Sequence, residues 1–257
     1  MTDAGKNSVT AVQTINAAGA SPVVLVCEHA SCFIPETLEG LGLTNAARES
    51  HAAWDPGALG VAERMSFRLD ATLVASCVSR LVYDCNRPPE APGAMPAKSE
   101  VFDVPGNANL SAQDRTERAA TYYVPFRDAL AQVVADKPAP VLVTIHSFTP
   151  VFNGVPRVVE VGVLHDSDTR LADAMLDTAA AHTGTTVQRN EPYGPADGVT
   201  HTLQVHGTAH GHPCVMIEVR NDLIQTKTQQ QRMGDMLAEW LADACALMKA
   251  EGVRCTA

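Results

Sequence analysis

Aromatic residues are scarce in this 257-residue chain, with Phe, Trp and Tyr together at 5%. Ala, Val and Leu must therefore fill most of the core. Basic residues are also few: 19 Lys and Arg stand against 29 Asp and Glu, a formal net charge of -10. That balance argues against a nucleic-acid partner, because such affinity rests on Lys and Arg neutralising phosphates. No apolar run approaches the roughly 18 residues needed to span a bilayer, so no membrane partner is expected. The 7 Cys include no CxxC pair; Cys27 and Cys32 are five apart. Cys77, Cys214 and Cys245 sit among apolar neighbours, where a free thiol behaves as a small hydrophobe. This usage points to a reducing compartment. Met1 to Ala20 is polar, carries Lys6 only and has no apolar h-region. It reads as a loose leader, and a cytoplasmic location is expected.

Familiar catalytic signatures are missing too. There is no GxSxG elbow for a serine hydrolase, no GxGxxG or Walker loop for nucleotides, and no HExxH zinc motif. What remains is metal-assisted or carboxylate-assisted chemistry. A cysteine nucleophile is the rival, since Cys27 neighbours His29 and Cys32 follows closely.

Apolar runs alternate with helical periodicity. Pro22–Cys27, Ala71–Ser76, Leu81–Asp84, Pro140–Ile145, Arg157–Leu164 and Cys214–Val219 read as strands. A helix is expected with Asp55 as N-cap and Pro56 at its first position. Others are expected from Ser111 (interrupted near Pro125), over Thr169–His182, and from about Thr226 to Glu251. Residues 85–110 form a long Pro-rich loop, a kind that in compact domains usually serves function. The alternation predicts an α/β three-layer sandwich with a mixed, mainly parallel central sheet, as one domain over residues 21–257.

In open α/β sheets, ligands bind beyond the carboxyl ends of the strands. Glu28-His29 follows the first apolar run, His146-Ser147 follows PVLVTI, and Glu218 lies in the last strand, with Arg220 and Asn221 after it. Asp84, Asn86 and Arg87 follow LVY. Imidazoles and carboxylates converging from separate strands suit a catalytic zinc, which takes three protein ligands and keeps a position open. His29 and His146 are the natural imidazole ligands. The third is open between Glu28, Asp55 and another carboxylate. Glu218 is then the general base. His201, His206, His210 and His212 lie in a loop-like stretch that reads as polar surroundings, with His206 the member suited to a substrate role. His51, His165 and His182 read as surface or helix residues.

CEHAS followed by Ile34-Pro35, YDCNRPP at 83–89, TIHS at 144–147, NEPYG at 190–194 and IEVRNDLI at 217–224 occur in one order. Together they resemble the N-formylglutamate amidohydrolase family. The resemblance implies a fold like that of zinc exopeptidases and amidases. It also implies a Zn2+-dependent hydrolase, or one using another divalent ion, that releases formate from a small anionic N-acyl amino acid such as N-formyl-L-glutamate. Carried over by position, His29, Asp55 and His146 would bind the metal and Glu218 would be the catalytic base. Asn86, Arg87, Arg220 and His206 are the expected substrate-binding residues. The resemblance departs where Arg127 follows Pro125-Phe126 and where Glu28-His29-Ala30-Ser31 follows the first strand. Because the chain is acidic, a glutamyl substrate requires a local positive patch. Arg87, Arg220 and the metal are expected to form it, and the glutamate expectation stands or falls on that clustering.

Overall fold

The computed structural model describes residues 10–256. The elements run β1 (Val12–Ile15), β2 (Val23–Cys27), α1 (Asn45–Glu49), α2 (Ala58–Leu69), β3 (Thr72–Ser76), then a small hairpin of β4 (Lys98–Ser99) and β5 (Phe102–Asp103). There follow α3 (Ala112–Arg118), α4 (Val124–Ala135), β6 (Val141–Phe148), a second hairpin of β7 (Val151–Phe152) and β8 (Val155–Pro156), β9 (Val161–Leu164), α5 (Arg170–His182), β10 (Val187–Arg189), β11 (Cys214–Arg220) and α6 (Lys227–Leu247). Seven strands form one sheet in the order β1-β3-β2-β6-β11-β9-β10. The central run from β3 to β11 is parallel, β1 and β9 join it antiparallel, and β10 is parallel to β9. The mixed, mainly parallel α/β sheet is the architecture expected from the alternation of elements.

The parallel strands read as continuous apolar runs because both faces are covered. Side chains alternate between the faces. Val23, Leu25 and Cys27 pack with Val61 and Met65 of α2 and Trp240 of α6. Val24 and Val26 point the other way, to Phe126 and Leu130 of α4 and to Tyr83. Trp240 is fully buried, and its indole N–H donates to the Met175 carbonyl at 2.7 Å. Truncating it to Ala would cost about 3–5 kcal/mol. Thr226 and Gln229 close a reciprocal cap at the start of α6, and Ser111 and Asp114 do the same for α3.

Several local expectations differ from the structure. Within the expected leader, Val12–Ile15 forms the edge strand β1, paired with β3; residues 1–9 lie outside the described ones. Leu81–Asp84 is not a strand but a turn. Its apolar residues are buried in the α4-side core, and burial, not pairing, made them apolar. The run at Arg157–Leu164 is extended in the sheet only from Val161. The chain between α3 and α4 does not break at Pro125. A π-helical turn, Ala119–Tyr123, precedes it and leads into α4, whose first turn tolerates the missing proline N–H. Asp55 does not cap α2. Gly57, at φ 85°, turns the chain just before the helix, and Asp55 is left with its carboxylate pointing elsewhere.

Candidate active site

Beyond the carboxyl ends of β2 and β3, and at the ends of β6 and β11, polar side chains replace the apolar alternation. Glu28 and His29 directly follow β2. Strand β6 runs longer than expected, so His146 lies inside it and not after it, while Glu218 lies inside β11 as expected. They are register partners on adjacent parallel strands, which places both side chains on one face. Asp55 is brought in by its own backbone, whose N–H donates to the His29 carbonyl at 2.9 Å.

Three ligand atoms converge. His29 Nδ1 and Asp55 Oδ2 are 3.3 Å apart, His146 Nδ1 and Asp55 Oδ2 2.9 Å, and the two Nδ1 atoms 3.2 Å. The other ring nitrogens face carboxylates: His29 Nε2 is 2.7 Å from Asp84 Oδ1, and His146 Nε2 is 3.0 Å from Glu28 Oε2. His29 Nε2–H donated to Asp84, and a His146 ring proton on the Nε2 that faces Glu28, would leave a lone pair on each Nδ1. Two lone pairs and a carboxylate oxygen facing one another, all buried, need positive charge between them. Neighbouring ligands on a tetrahedral zinc with bonds of about 2.0–2.1 Å stand about 3.3 Å apart, close to the observed triangle. Imidazole ligands backed by carboxylates are the usual arrangement of such sites. The triangle could therefore hold a divalent ion, and among the described residues it is the cluster that could. It also separates the two carboxylates the sequence left open: Asp55 is in the triangle and Glu28 stands behind His146.

The electrostatics agree with a cation-binding centre. Burial works against charge on His146, yet Glu28 and Asp55 overturn it and raise the imidazole well above its ordinary value. Burial likewise opposes ionisation of Asp55, but His29 and His146 hold it well below the usual carboxylate range. Glu218 behaves oppositely. Burial pushes its carboxyl up to about 7, with Asp55 adding repulsion. One of its oxygens, Oε2, has no hydrogen-bond partner among the described residues. Such a carboxyl is poised to exchange a proton near neutrality.

A cavity of about 350 Å³ opens over these groups. Its inner wall carries His29, Asp55, His146, Glu218, Arg80 and His51. Its more exposed, outer part carries Arg87, Ser99, Glu100, Phe152, Tyr193, Asp197 and Val199, and the buried Asn86 lines it as well. Asn86 lines the cavity but spends its amide on structure, accepting from the Thr202 N–H at 3.0 Å and donating to the Val199 carbonyl. Arg87 also lines it, and its guanidinium donates to the Gly198 carbonyl. A larger cavity, about 590 Å³, opens at the opposite end of the sheet, beside Val141 and Pro213. It lies at the amino ends of β6 and β11, away from the end where α/β sheets bind ligands.

Two expected substrate residues are not in the cavity wall. Arg220 is committed outside it, to Asp222 at 2.8 Å, to Glu160 at 3.4 Å and to the Arg157 carbonyl at 3.2 Å. His206 is buried on the π-helical turn Leu203–Gly207, and burial lowers its imidazole to about 4. The neighbouring histidines are dispersed: His201 Nε2 meets the Tyr123 hydroxyl at 2.7 Å, while the His210 and His212 rings stack. The cysteine rival also fails on placement. Cys27 is buried on the α2 side of the sheet, where desolvation raises its thiol well above the ordinary value.

Residues 21–225 match the family model for N-formylglutamate amidohydrolase. The chain belongs to that family. This amidohydrolase is thus a hydrolase of amide bonds. A gene product of Agrobacterium tumefaciens is 51% identical and superposes with a TM-score of 0.91, covering 93% of this chain and 96% of that one. An N-formylglutamate amidohydrolase from Ralstonia eutropha is similar in fold, with a TM-score of 0.67 at 19% identity over 91% of this chain and 98% of that one. No curated protein matches the sequence. No helix among the described residues of the amidohydrolase is long and apolar enough to cross a membrane.

Sequence reasoning missed Arg80, His51 and the part played by Asp84 in this amidohydrolase. Arg80 donates to Asp84 at 2.9 Å and lies 3.6 Å from Asp55 Oδ1. His51 Nδ1 is 3.8 Å from the same oxygen. The spacing of four residues in both His51–Asp55 and Arg80–Asp84 is the one signal that could have drawn attention to them.

Proposed function

We propose that the protein is a metal-dependent amidohydrolase of small N-acyl amino acids, with an N-formyl amino acid as the simplest substrate. The observation that carries this is the buried triangle of His29, Asp55 and His146 with Glu218 across the same cavity. Those three residues would hold a divalent ion, with zinc fitting the donor set. Bound there, such an ion acidifies water and polarises the amide carbonyl. Glu218 takes the proton from the attacking water and passes it to the amide nitrogen as the C–N bond breaks. The formyl amide and one water become formate and a free ammonium group. Asp84 and Glu28 fix the rings of His29 and His146 so that each Nδ1 faces inward. Arg80 helps keep Asp84 and Asp55 ionised. Arg87 binds the substrate carboxylate, to which a planar guanidinium fork is matched. The family match favours a glutamyl substrate, but two of the residues expected to hold it stand apart from the cavity: Arg220 is engaged elsewhere and His206 is buried off it. The cavity also exceeds what a formyl group needs. The test is a hydrolysis screen over formyl, acetyl and succinyl amino acids, with and without chelator. Chelator-sensitive release of the acyl group is expected. Hydrolysis of none of them, in protein shown to carry a divalent ion, contradicts the proposal.

A further inference from the structure

Four guanidiniums, Arg80, Arg87, Arg157 and Arg220, come from segments joined to the strand ends that carry the site. Two are neutralised: Arg80 by Asp84 and Asp55, and Arg220 by Asp222 and Glu160. Arg87 and Arg157 have no carboxylate partner among the described residues, and their donors go to uncharged oxygens. In a chain of net charge -10 carboxylates are plentiful, so a half-buried guanidinium kept away from them calls for a reason. Arg87 lines the cavity and already has a role there. Arg157, just after β8, is held by aromatic rings. Its guanidinium carbon lies 4.6 Å from the ring centre of Phe152, 4.9 Å from that of Tyr193 and 5.4 Å from that of Phe148. Aromatic faces attract a cation without neutralising it, so the charge is fixed in place and left available. Phe152 and Tyr193 both line the cavity. Nη2 of Arg157 donates to the Tyr193 hydroxyl at 2.8 Å, and Nη1 donates to the Thr149 carbonyl at 3.3 Å. The hydroxyl accepts in that bond, so its own proton is free for another partner, and it meets none among the described residues. Arg157 stands close enough to His51, and Tyr193 close enough to Glu218 and Arg80, for their charges to interact, which ties this corner to the inner wall.

We infer that Tyr193 and Arg157 form a subsite for a second carboxylate, on the side chain of the substrate amino acid, with the Tyr193 hydroxyl as the direct donor and the Arg157 guanidinium as the positive charge behind it. This rests on the function proposed above and names the side chain which that reading left open. An acidic side chain then has a cation of its own, separate from Arg87, which serves the carboxylate every amino acid carries. A neutral side chain in the same place would leave the hydroxyl proton and the guanidinium without an anion. The loss of one hydrogen bond to a charged group corresponds to roughly ten- to a hundredfold in relative binding.

The experiment compares kcat/KM for N-formyl-L-glutamate and N-formyl-L-glutamine, which differ by one charge at nearly equal shape, in the zinc-loaded enzyme and in Arg157→Gln, Tyr193→Phe and Arg87→Ala. The ratio of two substrates on one preparation does not depend on how much of it is folded, so a variant that merely loosens the structure leaves it unmoved. The native enzyme should prefer the glutamate substrate by roughly tenfold or more. Arg157→Gln should bring the ratio close to one. Tyr193→Phe keeps the ring under the guanidinium and should lower the ratio severalfold. Arg87→Ala should slow both substrates alike and keep the ratio. Equal or better cleavage of N-formyl-L-glutamine by the native enzyme overturns the inference while leaving the amidohydrolase reading intact, as does a ratio unmoved in either Arg157→Gln or Tyr193→Phe, or one abolished in Arg87→Ala. Cleavage of neither substrate by the native enzyme overturns the parent reading and the inference together.

Discussion

The inner and outer walls of the cavity are built differently. His29, Asp55, His146 and Glu218 are each at most 5% exposed, and two of them belong to central strands. Glu100 and Asp197 are exposed and sit on turns, while Phe152 ends a two-residue strand. Charges on the inner wall interact in a dry setting, where a misplaced proton or dipole is expensive. Charges on the outer wall are screened by water and salt, so changing one costs the fold little. On the proposed function, the reaction would be tied to the sheet and the choice of substrate to the turns.

The largest expected break in this contrast is Glu218→Gln. It should lower kcat by about 10²–10⁴ while the bound metal remains at wild-type stoichiometry; metal analysis beside kinetics checks both. The same residue sets a pH dependence. A proton acceptor must be ionised, and burial holds Glu218 near 7, so kcat/KM should fall as pH drops below that value. A bound cation favours the carboxylate and moves this limb to lower pH. Next comes Glu28→Gln, which keeps the shape behind His146 but removes the charge. Metal affinity should weaken by about 10–100-fold. It should also fall with decreasing pH in the native protein, because His146 is raised above its ordinary value and protons compete with the ion. Competition titration with a chromophoric chelator across pH reads both effects. On the outer wall, Arg87→Ala should raise KM by roughly tenfold with kcat little changed, the loss of one charged hydrogen bond to substrate. The smallest effect belongs to Arg220→Gln. Its partners lie outside the cavity, so KM should stay within about twofold while unfolding free energy falls by about 0.5–1 kcal/mol. A large rise in KM there would return Arg220 to the substrate and dissolve the contrast between the walls.

The sheet and the inner wall were largely legible in the amino-acid sequence. Val-rich runs mark β2, β6 and β11 because those strands are covered on both faces, and the polar residues that interrupt them are the ones that need a reason. What was not legible depended on contacts between distant segments. β1 is a short VQTI segment at the sheet edge, half polar, and it reads as loop until β3 is beside it. Leu81–Tyr83 has strand-like apolarity but fills the α4-side core from a turn. Asp55-Pro56 carries a helix-start signature, yet Gly57 displaces the helix and releases the carboxylate to His29 and His146. Arg220 follows the right strand, but Asp222 and Glu160 claim it, and neither pairing is visible without the fold. Glu100 and Asp197 come from turns nearly a hundred residues apart, with no periodicity to bring them together.

The most direct test of the central claim is an equivalence titration. Protein stripped with chelator is titrated with zinc while hydrolysis of an N-formyl amino acid is followed, in the native chain and in Asp55→Ala. The native chain should rise from negligible activity in proportion to added zinc and level off at one equivalent, and Asp55→Ala should stay inactive over the same range. Full activity in the stripped protein, or an unchanged titration in Asp55→Ala, would contradict a catalytic ion held by His29, Asp55 and His146.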